Sequence, residues 1–255
     1  MIKLNLLENL KEDLESVVIH AGTAIMEVYE KDFEFYKKSD GSPVTEADKL
    51  SENIIIPALK DLCPDIPIIS EENSESHKIQ ATETFFLVDP LDGTKEFLKK
   101  DGRGSFTVNI ALIQNNLPIF GIVYAPALGR YFSGITLNSF SEERDIPAKR
   151  LNLSKTKNLN IIAVASASHR DQETNNWLIS HNIENTVSIG SSLKFCLVAT
   201  GEADVYPRFG PTMEWDTGAA HAVVSAAGKR VLDMRTREPL SYNKPELRNP
   251  FFIVE

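Results

Sequence analysis

In FFLVDPLDGTKEF, residues 85–97, an apolar run ends on two carboxylates three positions apart, Asp89 and Asp92. Pro90 lies between them and Gly93-Thr94 follows directly. Like charges at the mouth of a buried strand raise one another's pKa and cost stability unless a cation intervenes. The hard cation that suits several carboxylates plus a backbone carbonyl is Mg2+. Two such ions ~3.5–4 Å apart can clamp a phosphoryl group and activate a water. Gly93-Thr94, read as the opening of a helix, adds free backbone N–H groups that bind phosphate oxygens. The spacing therefore points to metal-assisted attack on a phosphate ester.

Other acids stand in comparable places. Asp48 follows Pro43-Val44-Thr45, Glu71 and Glu72 follow the run IPIIS, and Asp216 lies in PTMEWDTGAAHAV, read as the first turn of a helix. Ligands of α/β proteins gather at the carboxyl ends of strands, so these locations agree with one another. Taken singly, each has a bland explanation. A DxxDG is usually a surface turn, an acidic pair is usually solvated, Asp216 could complement a helix dipole, and Asp48 could be a cap. The number of coincident placements after apolar strands is what favours a shared site.

The elements that must position these acids show in the periodicity. Leu4, Leu7, Leu10, Leu14, Val17, Val18, Ala21, Ile25 and Val28 recur at three- and four-residue steps, which predicts a long amphipathic helix. KKSDGSPV is a polar turn with Asp40-Gly41 at its sharpest point. Thr45 and Asp48 resemble a capping box opening a second helix, which Pro57 should kink or break. DIPIIS and FFLVD read as strands. SFTVNIALI, PIFGIVYAP and RYFSG read as an antiparallel meander, with Phe106, Val108, Ile110 and Leu112 on one side. The second half adds a strand at 160–166 and a short helix SSLKFCLVAT capped by Ser191 or Ser192 and closed by Gly201. ADVYP reads as a strand, DTGAAHAVVSAAG as a small-residue helix, and KRVLD as a further strand. The class is mixed α/β. Residues 1–150 form an N-terminal half carrying the metal-binding loops, and 151–255 a C-terminal half completing the site, in one compact unit. A polar seam lies between 137 and 158.

Composition bounds the function. At 255 residues, 42% hydrophobic and 25% charged, the chain is ordinary for a globular protein. No run approaches the ~20 apolar residues of a membrane helix. The N-terminal stretch is charged too regularly for a signal peptide, which predicts a cytoplasmic protein and leaves a peripheral association with the inner membrane open. The net charge of −9, without a basic stripe, argues against nucleic-acid binding. Cys63 and Cys196 are far apart with no CxxC spacing and read as two reduced core thiols.

SEE, VDPLDGT and EWDTGAAHAVVSAAG in that order resemble the signature set of the inositol monophosphatase superfamily, which consists of metal-dependent, lithium-sensitive phosphatases. GSPVTEAD, PDIPIISEEN and GSSLKFCLVATGEADVYPRFGPT are similar to its 3′(2′),5′-bisphosphate nucleotidase branch, the CysQ type. The resemblance implies a layered α-β-α-β-α sandwich and two or three Mg2+ ions. Glu71, Asp89 and the carbonyl of Leu91 would hold one ion; Asp89, Asp92 and Asp216 would hold a second. Gly93 and Thr94 would cradle the phosphate. Asp48 and Thr107 match a pair that orients the attacking water, with Glu71 also counted as catalytic. Glu71, Leu91, Asp92, Asp216 and Ser192 would border the substrate. Lys194 would meet its second phosphate, Arg208 is a second anion contact, and His169 lies near the nucleotide. Glu214, the residue before Trp215-Asp216, is expected near the nucleoside, and the polar segment ENSESHKIQATETFF as a loop or lid.

The implied reaction is removal of the 3′-phosphate of adenosine 3′,5′-bisphosphate, giving AMP and phosphate, in a monomer or homodimer. The sulfated analogue is a second candidate substrate. Two other readings compete: a phosphatase of inositol phosphate or a sugar bisphosphate, and a silent module that only binds metal or anions.

Overall fold

The structure, a computed structural model, describes residues 4–31, 35–37, 43–79, 82–100, 102–136, 161–166 and 171–255. His169, the Asp40-Gly41 turn and the 137–158 seam lie outside these residues. The chain begins with helix α1 (Leu4–Tyr29), the short strands β1 (Phe35–Lys37) and β2 (Pro43–Thr45), and helix α2 (Glu46–Leu62). Strands β3 (Ile68–Ser70) and β4 (Thr84–Asp92), helix α3 (Thr94–Lys99), and strands β5 (Thr107–Gln114), β6 (Leu117–Ala125) and β7 (Arg130–Ile135) follow. Then come β8 (Ile162–Ser166), α4 (Gln172–Ser180), β9 (Asn185–Ile189) and α5 (Leu193–Thr200). The last elements are β10 (Tyr206–Arg208), α6 (Gly218–Ala226), β11 (Val231–Asp233) and β12 (Phe252–Val254).

The stripe of α1 is buried from Leu7 to Val28, whereas Leu4 at its start stays exposed. Each fully buried Leu or Ile there contributes about 1.5–3 kcal/mol. Thr45 and Asp48 form the predicted capping box of α2. Pro57 does not break that helix. Ile55 and Leu59 on either side of it are fully buried, and this packing outweighs the lost backbone bond.

Five strands form the central sheet in the order β3-β4-β5-β6-β7. β3 and β4 are parallel; the other pairs are antiparallel, including the expected meander β5–β6–β7. One face packs Phe86, Val88, Phe106, Val108, Ile110 and Leu112 against α1 and α2. The opposite face packs Phe85, Leu87, Ala111 and Ile113 against α5 and α6. Beyond those helices lie two smaller sheets, β8-β9 and β10-β12-β11, tied by a parallel bridge between Ala163 and Val205. α4 closes the far side through Leu178 against Ala163, Val205, Leu232 and Ile253. The fold is mixed α/β, with its layers in the order α-β-α-β-α.

Helix α6 lies unusually close to the central sheet because β6 and β7 present glycines to it. A Cβ at Gly121 would stand 2.2 Å from the Ala219 carbonyl oxygen, and one at Gly134 would stand 2.6 Å from that of Ala222. This contact fixes the height of the segment just before α6, which carries Asp216. Cys63, half-buried, and Cys196, buried, are both free. Among the described residues no helix is long and apolar enough to cross a membrane.

Candidate active site

Residues three apart on a regular strand point to opposite faces. Asp89 and Asp92 do not, because β4 bulges between them. Asp89 pairs with Asn109 and Asp92 with Thr107, three steps on one strand against two on its neighbour. Asn109 and Thr107 share a face of β5, so both acids share it too. Pro90 sits in the bulge, where its missing N–H costs no ladder bond. Its carbonyl is held by the Ser51 hydroxyl at 2.7 Å.

Glu71 arrives beside them from the end of β3, its N–H donating to the Val88 carbonyl at 3.0 Å. Asp216 arrives from the segment before α6, with its Oδ2 accepting the Met213 N–H at 2.7 Å. One carboxylate oxygen each of Glu71, Asp89 and Asp216 lie within 4.8 Å of one another. Asp89 is 1% exposed; its Oδ1 accepts the Leu91 N–H at 3.1 Å, and its Oδ2 is buried with no partner. Burial, then the charges of Glu71, Asp92 and Asp216, hold its pKa well above the usual carboxylate range. Burial, then Asp92 and Glu71, do the same to Asp216. Burial pushes Asp92 up to about 7, against the opposing pull of Lys194. An unpartnered oxygen among acids that raise one another's pKa fits a hard divalent cation, which would supply the missing partner.

Glu71, Asp92 and Asp216 line a cavity of about 690 Å³ together with the cations Lys194 and Arg208. Gly93, at φ +92°, caps α3 and packs closely enough that a Cβ would stand 2.9 Å from the Ser105 carbonyl oxygen. Lys194 is 8% exposed, its Nζ donating to the Ser191 carbonyl and lying 5.7 Å from the Tyr206 ring centroid. Burial pulls its pKa down to about 8, with the Asp92 charge opposing. The Arg208 guanidinium lies against Gly210 and donates to the Pro211 carbonyl at 3.0 Å, while its Nε is buried without a partner. A cavity of this size, with both acids and cations in its lining, suits an anionic small molecule.

The sequence pattern of the inositol monophosphatase family matches residues 6–250. The chain belongs to that family. It is 45% identical over 239 residues to the 3′(2′),5′-bisphosphate nucleotidase CysQ of Escherichia coli K12, covering 92% of this chain and 95% of that protein. It is 31% identical over 260 residues to the CysQ of Haemophilus influenzae, covering 100% and 94%. The crystal structure of CysQ from Bacteroides thetaiotaomicron superposes with a TM-score of 0.77 at 39% identity, over 99% of this chain and 98% of that one. An inositol monophosphatase of Thermotoga maritima, at 21% identity, shares the fold with a TM-score of 0.73 over 97% and 92%. The inositol monophosphatase family comprises metal-dependent phosphatases, and the acid cluster provides what such chemistry needs.

The structure brings Glu71, Asp89, Leu91, Asp92, Gly93, Thr94, Ser192, Lys194, Arg208 and Asp216 around this one region. It does not pair Asp48 with Thr107. Asp48 Oδ2 accepts from both the N–H and the hydroxyl of Thr45, each at 2.7 Å, and Oδ1 lies 3.4 Å from the Thr94 hydroxyl. Thr107 instead closes a buried triangle. Ser192 donates to Asn109 Oδ1 at 2.6 Å, so its oxygen must accept from Thr107 at 2.8 Å. Asn109 Nδ2 donates back to Thr107 at 3.2 Å.

The Ser192 hydroxyl is therefore spent on Asn109, and α5 has no side-chain cap. The Ser192 N–H donates to Asp92 Oδ2 at 2.6 Å. Asp216 precedes α6 and its N-cap Thr217, so it does not lie in the first turn of that helix. Glu214 does not face the cavity: it is fully buried, ion-paired with Lys244, and accepts the N–H groups of Asn243 and Lys244. Asn109 gave no sign in the sequence. It is one polar residue in an apolar strand, and only the register against β4 shows its place.

The raised carboxylate pKa values have a measurable consequence. Unfolded Asp92 ionises near 3.8, whereas the folded residue keeps its proton to about 7. Over that window the folded state binds more protons, so stability is greatest below it and is lost as pH rises through it. Chelator-treated protein should accordingly melt at a lower temperature at pH 7 than at pH 5. Mg2+ should raise the melting temperature more at pH 7, because its ligands must be deprotonated. Thermal scans with and without Mg2+ at the two pH values check this. An Mg2+ effect larger at pH 5 would exclude these acids as the ligands.

Proposed function

We propose that this protein is an Mg2+-dependent phosphomonoesterase that removes the 3′-phosphate of adenosine 3′,5′-bisphosphate, in the cytoplasm and with no nucleic-acid partner. The observation that carries this reading is the pairing, in one cavity, of an acid cluster with two cationic groups, the buried Lys194 and the half-buried Arg208. One phosphate would sit at the acids and the other at the cations. An inositol monophosphate has no second phosphate to use them. The 45% identity to a nucleotidase of stated 3′(2′),5′-bisphosphate specificity supports the same substrate class.

Glu71, Asp89 and the Leu91 carbonyl would hold one Mg2+, and Asp89, Asp92 and Asp216 a second. Bound there, the ions would neutralise phosphoryl charge and lower the pKa of a water. The chain's own residues do the rest. Ser192 N–H fixes Asp92, and Met213 N–H fixes Asp216, so each offers its other oxygen inward. Gly93 and Thr94 offer N–H groups to the phosphate. The Thr94 hydroxyl lies 3.4 Å from both Asp48 Oδ1 and the Leu91 carbonyl; with that carbonyl engaged by an ion, it would donate to Asp48, present lone pairs to the attacking water and give the water's proton a path to that carboxylate. Lys194 and Arg208 orient the second phosphate.

Phosphate release should be measured from adenosine 3′,5′-bisphosphate, inositol 1-phosphate and a sugar bisphosphate, with and without Mg2+ and with Li+. The expected result is an Mg2+-dependent, Li+-inhibited preference for the nucleotide of at least about tenfold in kcat/KM. Preference for inositol 1-phosphate would overturn the assignment. Release from none of them, despite Mg2+ binding, would point to a module that only binds.

A further inference from the structure

Glu71 and Asp216 reach the site on loops from opposite parts of the chain, and one side chain touches both loops. After Glu71 the backbone turns back through a 3-10 segment, Ser76–Lys78. The Ser76 hydroxyl accepts the Ser70 N–H at 3.0 Å and lies 2.6 Å from the Asn73 carbonyl, to which it donates. His77 Nε2 lies 2.8 Å from the Ser70 carbonyl. A carbonyl only accepts, so Nε2 carries the proton in this contact. The same imidazole stacks on the Trp215 indole, with centroids 4.6 Å apart and planes at 22°. Trp215 is 6% exposed, packs into the core and immediately precedes Asp216. Residues 73–75 between Glu71 and this turn are exposed, and bonds such as Asn73 N–H to the Ser70 carbonyl at 3.2 Å stay within the loop, whereas His77 reaches across to the segment that carries Asp216.

We propose that His77 is a positioning residue that ties the residue before Glu71 to the residue before Asp216, and so sets the affinity of the acid pair for a divalent cation. The proposal rests on the metal-site reading above. His77 touches neither substrate nor metal. It acts by limiting how far two carboxylates can separate, and partners at that remove typically change metal affinity by 10–100-fold.

The test is calorimetric titration of Mg2+ into chelator-treated wild-type protein and into His77→Ala and His77→Phe, alongside the Mg2+ dependence of phosphate release. His77→Ala should bind Mg2+ about tenfold more weakly. Its kcat at saturating Mg2+ and its nucleotide KM should change by less than about twofold. His77→Phe keeps the stack but loses the bond to Ser70, and should fall between the two. If His77→Ala does not fold, the Phe variant carries the comparison alone. Unchanged Mg2+ affinity in a folded variant, whatever its kcat, would overturn the clamp and leave a purely structural contact. Absence of Mg2+ binding by the wild type would instead overturn the metal site itself.

Discussion

Replacing Asp89 by Asn should abolish phosphate release and make the metal-free protein melt at a higher temperature. Both effects come from the same two oxygens. Oδ1 accepts the Leu91 N–H at 3.1 Å, and an amide oxygen keeps that bond. Oδ2 is buried with no partner, and one oxygen of the Asp89 carboxylate lies within 4.8 Å of carboxylate oxygens of Glu71 and Asp216. In the aspartate its charge is held there against burial first and the neighbouring acids second, which is why the pKa stands well above the ordinary range. An amide nitrogen at the same point carries no charge and can donate to those neighbours, so the cost of the wild-type arrangement disappears. The cation site loses the acid shared by both proposed ions. A loss of about a thousandfold or more in kcat is the scale expected when electrostatic stabilisation of developing charge is removed. Phosphate release at saturating Mg2+ and thermal scans with and without chelator check the two halves separately. Wild-type turnover would remove Asp89 from the ligand set. A metal-free variant that melts lower would show that repulsion is not what strains the site.

Much of this was legible in the residues, and the limits are informative. The α1 stripe, the capping box at Thr45 and the meander follow from periods and local chemistry, which need no tertiary knowledge. The acids could be singled out because they follow apolar strands, a pattern written in consecutive residues. The strand bulge that turns Asp89 and Asp92 to one face shows in the sequence only as Pro90, and a proline does not say which neighbour the strand will pair with. Alternation puts Thr107 on the face opposite Phe106 and Val108, yet it says nothing of Ser192, the hydroxyl partner 85 positions away. Pairings at such separations depend on the register of whole elements. Glu214 misled for a related reason. Two positions before Asp216 it is expected near the nucleoside, whereas it pins the backbone of Asn243 and Lys244. His77 carried no signal at all, because its meaning depends on an indole contributed by another loop.

Lys194→Met should separate the two phosphates of the substrate. The lysine is almost wholly buried, and burial lowers its pKa to about 8, so it remains mostly charged at pH 7. Among the described residues its ammonium has one hydrogen-bond partner, the Ser191 carbonyl, which leaves two N–H groups for the cavity. Methionine keeps the stem's volume and removes the charge. If Lys194 holds the second phosphate, kcat/KM for adenosine 3′,5′-bisphosphate should fall about a hundredfold, on the scale of losing one partner of a desolvated charge pair. Hydrolysis of adenosine 3′-monophosphate, which lacks that phosphate, should change less than about threefold. The competing role is local. Lys194 also lowers the pKa of Asp92, so its loss would push that acid further up and weaken its hold on a cation. In that case both substrates should suffer alike, and the Mg2+ needed for half-maximal rate should rise. The ratio between the two substrates therefore decides what the lysine is for. A selective loss assigns it to the nucleotide, and a uniform loss with a raised Mg2+ requirement assigns it to Asp92 and removes the main support for a bisphosphate substrate.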